Sequence, residues 1–440
     1  MVITMHIIQT AKLSISPQIR FQRIDGFGVN INAKYWGMGA LRPVLDHLID
    51  DLGATLFRLD AYGKANWSDP DDTRGSASLQ RENLDRIYQT PPFQNARSLA
   101  LYLNERGIAP YITISGVAPA FLCAADRKTL TDFEGYAKMA VDYAAWLRRE
   151  GVHFTLFGPL NETDYGPPEG PSLSPEAYAA CCEAIVRALD AAELCDVNLV
   201  IAEQGDHRTP FLQALLPNEA LRGRIAVCGM HNYWDLSMED LVRYQQKTAP
   251  QAHFWMTEFG DLCQSAERED AISFAVFRRL CRLLQDGMQG ALFWDAFDNY
   301  HDHDEQWTTY GLLRAGLSVY MPKKRYYALK HIYRYVRPGF FRIGAECSDK
   351  RIPVLAFTDE KSGKLTLVGC NPTSEAIYLD FDLALRGSEV AKYRTFEVYR
   401  TQEYEDCARV TAHEIKLDNR DCTGLCFLAL PGSIFTVSDV

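Results

Sequence analysis

Along this chain, short apolar runs rich in Val, Ile, Leu and Phe alternate with longer stretches in which apolar residues return every three or four positions. The two periods separate strand from helix, because side chains change face at each residue of a strand but return to one face after about 3.6 residues of a helix. Strands are predicted over 24–30, 54–60, 109–115, 153–159, 198–204, 225–231, 252–258 and 289–295. Amphipathic helices are predicted over 41–52, 96–106, 133–150, 175–194 and 266–286, and Gly53, Gly107, Gly151 and Gly287 stand where helices end on a left-handed residue. Eight such strands within about 270 residues fit an α/β fold, the (β/α)8 TIM barrel of about 250 residues, in which helices connect parallel strands.

The pattern changes at Arg337-Pro338-Gly339. Beyond it, short runs over 354–358, 365–371, 376–381, 395–399, 414–417 and 426–430 are separated by turn residues with no helical stretch between them. This spacing predicts an appended C-terminal antiparallel β-sandwich. Ile7, Leu13 and Ile15 precede the barrel in a strand-like alternation, so residues 1–20 are expected to add edge strands to that sandwich. The expected division is therefore 1–20 with the sandwich, 21–336 as the barrel and 337–440 as the sandwich domain. The segment 63–92, rich in Asp, Ser, Asn and Arg, reads as a long loop over the barrel mouth.

Composition narrows what such a fold does. With 47% hydrophobic and 23% charged residues among 440, a sizeable core is available and global disorder is excluded. Lys and Arg total 46 against 57 Asp and Glu, and the net charge of −11 opposes binding to nucleic acid or an anionic membrane. The one dense basic run is Lys323-Lys324-Arg325. No apolar run approaches the roughly 20 residues that span a bilayer. The N-terminus lacks a basic segment followed by a continuous apolar one, and the 12 cysteines form no C-x-x-C pair; a cytoplasmic protein with reduced, buried thiols is expected. Aromatic residues, at 12%, are plentiful enough to offer flat faces to a sugar ring.

In a barrel of this kind the βα loops converge at the C-terminal ends of the strands, where the chemistry concentrates. Those ends carry Asn30 and Asn32, Arg58 and Asp60, Ser115, Asn161 and Glu162, Glu203 and Gln204, His231 and Tyr233, Glu258, then Trp294 and Asp295. Glu162 and Glu258 follow the fourth and seventh strands, roughly opposite one another, so their side chains can meet across the mouth. Glycoside hydrolysis uses two such carboxyls: one protonates the departing oxygen, and the other attacks the anomeric carbon or activates water. Arg58 is placed to keep the attacking carboxylate ionised, and Tyr233 to donate a hydrogen bond to it. Burial, or the charge of Glu258, would hold a proton on Glu162. Asn161 can bond the sugar hydroxyl beside the reaction centre, Trp294 can stack on the ring, and His231 can touch substrate or carboxylate. Asn30, Asp60 and Gln204 are candidates for binding or supporting roles.

Taken together, Asn161-Glu162, Glu258, His231-Asn232-Tyr233, Arg58 and Trp294 resemble the retaining glycoside hydrolases of clan A. Ile24-Asp25-Gly26-Phe27-Gly28, Arg325-Tyr326-Tyr327-Ala328-Leu329 and Val336-Arg337-Pro338-Gly339 look like the family 30 type, in which a β-sandwich is attached to the barrel. The resemblance spans the barrel and the junction. It implies Glu162 as acid/base, Glu258 as nucleophile, a β-linked carbohydrate as substrate, and neither cofactor nor metal.

Two other chemistries compete for the same fold. His301-Asp302-His303-Asp304-Glu305 offers imidazoles and carboxylates that suit a divalent ion, which would make a metal-dependent barrel hydrolase. Such an enzyme would more naturally carry His-x-His at the end of the first strand, where Gly28-Val29-Asn30 stands, so the run reads first as a polar loop lining the cleft. A glycan-binding protein without turnover would keep the cleft but not the need for both carboxylates. The glycines of Asp25-Gly26-Phe27-Gly28-Val29-Asn30 lack the third glycine and following helix of a dinucleotide loop.

Overall fold

The computed structural model describes residues 9–60, 67, 75–205, 209–263, 269–301, 305–315, 320–382, 396–411, 413–416 and 423–439. After the strand β1 (Gln9–Arg23), eight strands close a barrel: β2 (Gly26–Ile31), β3 (Leu56–Asp60), β4 (Tyr111–Thr113), β5 (Leu156–Gly158), β6 (Asn198–Gln204), β7 (Ile225–Asn232), β8 (His253–Phe259) and β9 (Gly290–Phe293). Each pairs in parallel with the next, and β9 returns to β2. All eight predicted runs became barrel strands. Both faces of such strands are covered, which is why they read as continuous apolar runs. The register aligns Asn30 with Arg58, Asp60 with Thr113, and His231 with Glu258, which brings the polar strand ends to one level. Tyr111, Val200, Val227, Trp255 and Leu292 pack together in the barrel interior.

The predicted outer helices form over Pro91–Glu105, Phe133–Arg149, Pro175–Ala191 and Glu269–Gln285. Local signals set their starts: Asp132 accepts from the Gly135 amide, and Ser174 accepts from Ala177 with Pro175 in the first turn. The region 63–92 departs from the expected loop. Its described part carries a short 3-10 turn (Gly75–Leu79), a helix (Arg81–Tyr88), and the start of the helix at Pro91. The polar composition concealed one apolar face: Leu84 and Tyr88 are buried, and Tyr88 stacks on Trp146 with ring centroids 4.7 Å apart. Helices over Thr209–Leu215, Glu239–Thr248 and Lys324–Tyr333 were not anticipated.

Two hairpins follow the barrel, β10 (Asn299–His301) with β11 (Gln306–Thr308), and β12 (Leu313–Ala315) with β13 (Tyr320–Pro322). The C-terminal strands are β14 (Phe341–Cys347), β15 (Val354–Thr358), β16 (Leu365–Cys370), β17 (Ile377–Asp382), β18 (Phe396–Gln402), β19 (Glu405–Val410), β20 (His413–Lys416), β21 (Thr423–Ala429) and β22 (Ile434–Asp439). They form one sheet with β1, in the order β19-β18-β22-β16-β15-β14-β1-β17-β21-β20. The sheet folds over its own core as a sandwich. Phe427 of β21 and Phe435 of β22 meet with ring centroids 5.3 Å apart although five strands separate them in that order. Two expectations are corrected here. β1 is an interior strand rather than an edge, antiparallel to β14 and parallel to β17, so the sheet is mixed. Ala11 and Leu13 explain its position, since both are buried in the sandwich core.

The basic run lies at the junction and is consumed by it. Lys323 pairs with Asp298 at 2.5 Å, Lys324 with Asp406 at 2.6 Å, and Arg325 with Glu269 at 2.7 Å. Eleven cysteines among the described residues are free thiols; most are buried, but Cys195 is exposed. Among the described residues no helix is long and apolar enough to cross a membrane.

Candidate active site

Arg58 organises the mouth. It is 2% exposed, and a buried guanidinium requires counter-charge and acceptors for its protons. Its Nη1 donates to Glu258 Oε1 at 2.5 Å and to Asn30 Oδ1 at 2.9 Å, while Nη2 donates to Asn161 Oδ1 at 2.6 Å. Glu203 Oε1 lies 3.5 Å from Nε. Asn30 in turn donates to the Thr257 carbonyl at 3.0 Å, which makes it a brace between strands; it does not line the cleft. Asp60 accepts instead from Ser115, through its amide at 3.1 Å and its hydroxyl. Burial lifts the Asp60 carboxyl to about 6, against the pull of Arg58. Asn32 caps the turn Ala33–Gly39 through the Lys34 amide.

The two glutamates stand within reach of each other. An oxygen of Glu162, Nδ1 of His231 and an oxygen of Glu258 all lie within 4.8 Å of one another. Glu162 sits in a left-handed turn, φ 39°, held by the hydrogen bond that its backbone N–H donates to the Glu203 carbonyl at 2.9 Å. Its Oε1 is 2.5 Å from His231 Nδ1, and Glu258 Oε2 is 3.4 Å from the same nitrogen. Tyr233 donates its hydroxyl proton to Glu258 Oε2 at 2.6 Å. Burial raises the Glu162 carboxyl above its ordinary range; the charge of Glu258 adds to this and His231 opposes it. Burial works against charge on His231, yet Glu258 and Glu162 raise it to about 10, so the imidazole is a cation that donates. Burial, then the charge of Glu258, pushes the Tyr233 phenol well up and keeps its proton in place.

Glu203, whose role the sequence left open, lies entirely buried beneath this pair. Ala202 and Glu203 both take positive φ, and the β6–β7 register shifts there between Ala202 and Gln204. Tyr111 donates to Oε2, Thr113 Oγ1 lies 3.4 Å from it, and His231 Nε2 stands 3.9 Å from Oε1. Burial would neutralise the group, but Arg58 and His231 outweigh it and hold the carboxyl at about 2. Glu203 is thus the second buried anion that balances two buried cations. No spacing rule marks such a counter-ion, since its partners come from three other strands. Gln204 does not line the cleft. Its Oε1 accepts from the Asp164 amide at 3.0 Å, and this fixes the turn that carries Glu162.

The cleft is lined by Arg58, Asp60, Asn161, Glu162, Tyr233, Glu258 and Trp294, together with Ser115, Glu169, Leu262 and Tyr310. Glu169, Leu262 and Tyr310 were missed because they stand on loops away from the strand ends. Asn161 spends part of its amide on the Glu169 carbonyl at 3.2 Å. Burial lifts Asp295 to about 7, against bonds from Asn299 and the Ala296 amide. His301 packs against Trp294 and Tyr310, with Nε2 3.7 Å from Asp295. Asp302, His303 and Asp304 lie outside the described residues, and Glu305 is exposed. Glu162, His231 and Glu258 have the donor types of a metal site, but the Arg58 guanidinium on Glu258 and the charged His231 already supply the positive charge there. That donor set fits a proton-handling carboxyl pair better than a divalent ion.

No protein-family model matches the sequence, and no curated protein matches it either. Solved structures do. The chain is similar to the glycoside hydrolase family 30 subfamily 8 xylanase of Clostridium acetobutylicum, with a TM-score of 0.74 and 15% identity over 98% of this chain and 100% of that one. A family 30 endoxylanase from Clostridium papyrosolvens matches with a TM-score of 0.74 and 16% identity, covering 97% and 99% of the two chains. An endo-beta1,6-glucanase matches with a TM-score of 0.68 and 17% identity, covering 97% and 94%. The chain therefore has the fold of these enzymes over nearly all of its length, a (β/α)8 barrel joined to a β-sandwich.

Proposed function

We propose that this protein is a retaining glycoside hydrolase that cleaves a β-glycosidic bond by double displacement. The observation that carries this reading is the short separation of Glu162 and Glu258 in contrasting surroundings: an oxygen of each within 4.8 Å, one carboxyl raised by burial, the other salt-bridged to Arg58. Carboxyl groups about 5 to 5.5 Å apart belong to retaining enzymes, whereas inverting ones need about 6.5 to 9.5 Å to admit a water.

Glu258 Oε attacks the anomeric carbon as the bond to the leaving oxygen breaks, and Glu162 gives its proton to that oxygen. Glu162, now a carboxylate, takes a proton from water; the water oxygen bonds the anomeric carbon and Glu258 departs with the electron pair. Arg58 and Tyr233 orient Glu258 for the first step. His231, donating to Glu162 Oε1, leaves the other oxygen free for the proton that moves. Of the three structural neighbours described above, two are xylanases and one is an endo-beta1,6-glucanase, which supports a β-linked glycan as the substrate class.

The test is hydrolysis of aryl β-xyloside, β-glucoside, β-galactoside and β-fucoside, with the first-formed anomer read by proton NMR and a parallel series in EDTA. Turnover with the β-anomer formed first, unchanged by the chelator, is expected. The α-anomer formed first would overturn retention, and activity lost to EDTA and restored by a divalent ion would overturn the two-carboxyl mechanism.

A further inference from the structure

Three residues beyond Glu162, in the same turn, Tyr165 is 61% exposed although Thr163 and Gly166 beside it are buried. Its ring lies against Gly205. A Cβ placed on that glycine would come within 2.8 Å of ring atoms Cδ2 and Cε2, and within 3.0 Å of Glu162 Oε1. The edge of the ring and the carboxyl oxygen therefore meet over one backbone position, and only the absence of a side chain there admits both. The turn that holds them is tightly fixed. The amides of Tyr165 and Gly166 donate to the Glu162 carbonyl at 3.0 and 2.9 Å, and the Gly205 amide donates to Asp164 Oδ1 at 3.3 Å. On its other side, a Cβ on Gly170 would stand 1.8 Å from the Asn161 carbonyl oxygen.

The chemistry of the pair then assigns the two sides of the cleft. Glu258 takes the sugar that becomes covalently bound, in the cleft it shares with Arg58, Asp60, Asn161 and the rings of Trp294 and Tyr310. The group that leaves is bonded through the oxygen that Glu162 protonates, so it must lie beside that carboxyl, where Tyr165 presents an exposed ring.

We propose that Tyr165, seated on Gly205, forms the leaving-group site, on which a pyranose ring or a planar aglycone stacks while Glu162 protonates the glycosidic oxygen. The proposal rests on the glycosidase reading and deepens it. Recognition by ring contact selects a flat apolar face rather than a pattern of hydroxyls, so the site accepts more than one leaving sugar.

The test compares two substrates that share a glycone, xylose or glucose: the β-glycosyl fluoride, whose fluoride departs without a general acid and fills no sugar site, and the β-linked disaccharide. Tyr165→Ala is expected to lower kcat/KM on the disaccharide by roughly tenfold, the scale of one good ring contact, and to leave the fluoride within about twofold. Tyr165→Phe is expected to behave as wild type on both. Tyr404→Ala, which removes an 84% exposed ring from the sandwich domain, serves as the control. Equal losses on both substrates would overturn the proposal, because Tyr165 would then act only by shaping Glu162. No loss on either would overturn it too. A wild type that hydrolyses none of the four aryl β-glycosides defeats the glycosidase reading itself, so the two failures are distinct.

Discussion

Two buried histidines, one at the barrel mouth and one at the junction with the sandwich, are held in opposite states. His231 and His331 are both fully buried. His231 is enclosed by Glu162, Glu203 and Glu258, and these carboxylates overcome burial and raise it to about 10. His331 lies between the hydroxyls of Thr436 at 2.8 Å and Thr401 at 2.9 Å, and burial, with Lys330 adding to it, lowers it to about 3. The junction uses imidazole as a neutral spacer that satisfies two hydroxyls and joins barrel to sheet. At the mouth it is a cation set among acids. Depth does not distinguish a structural histidine from a functional one; the charge of the groups around it does.

The contrast ranks the expected effects of mutation. Glu258→Ala should lower kcat/KM by more than about 10³-fold with no change in fold, as measured on an aryl β-glycoside beside circular dichroism. Glu203→Gln should lower kcat by about 10 to 100-fold, because it leaves Arg58 and His231 with one buried anion fewer. Its diagnostic is the His231 imidazole, which ¹⁵N NMR should show losing its proton at a lower pH than in wild type. An unchanged titration would remove Glu203 from the charge balance. His331→Ala should leave kcat unchanged and cost about 2 to 4 kcal/mol in urea unfolding, since it opens a cavity and takes one hydrogen bond from each of two buried hydroxyls.

The two residues also act on stability at opposite ends of the pH scale. The raised His231 contributes fully below its unfolded value of about 6.5 and loses that contribution as pH rises through about 10. The lowered His331 contributes above about 6.5 and loses it as pH falls towards about 3, so His331→Gln should blunt acid unfolding while His231→Gln should not. The smallest effect belongs to a partly exposed pair at the same junction: Lys324→Ala, which releases Asp406, should cost about 1 kcal/mol.

Much of the architecture was legible because each barrel strand is apolar on both faces and each helix keeps one apolar stripe. The site was legible where strand ends carry its residues, so Arg58, Asn161, Glu162, Tyr233, Glu258 and Trp294 all line one cleft. Position after a strand does not tell which way a side chain turns, and there the sequence was silent. Asn30 and Gln204 brace the site from outside the cleft, and Glu203 turns under it at a bulge. Glu169, Leu262 and Tyr310 come from loops, whose conformation no periodicity encodes. The helix Arg81–Tyr88 was hidden by polar composition, and the interior place of β1 depends on pairing with strands more than 300 residues away.

The central claim is that Glu258 becomes covalently bound to the sugar while Glu162 handles the proton. Its most direct test is azide rescue of Glu258→Ala on an aryl β-glycoside, with the configuration of the product determined. The account predicts that azide restores turnover and yields the α-glycosyl azide, formed by attack from the face that Glu258 occupies. Recovery of the β-glycosyl azide, or turnover in the variant equal to wild type without azide, would contradict it.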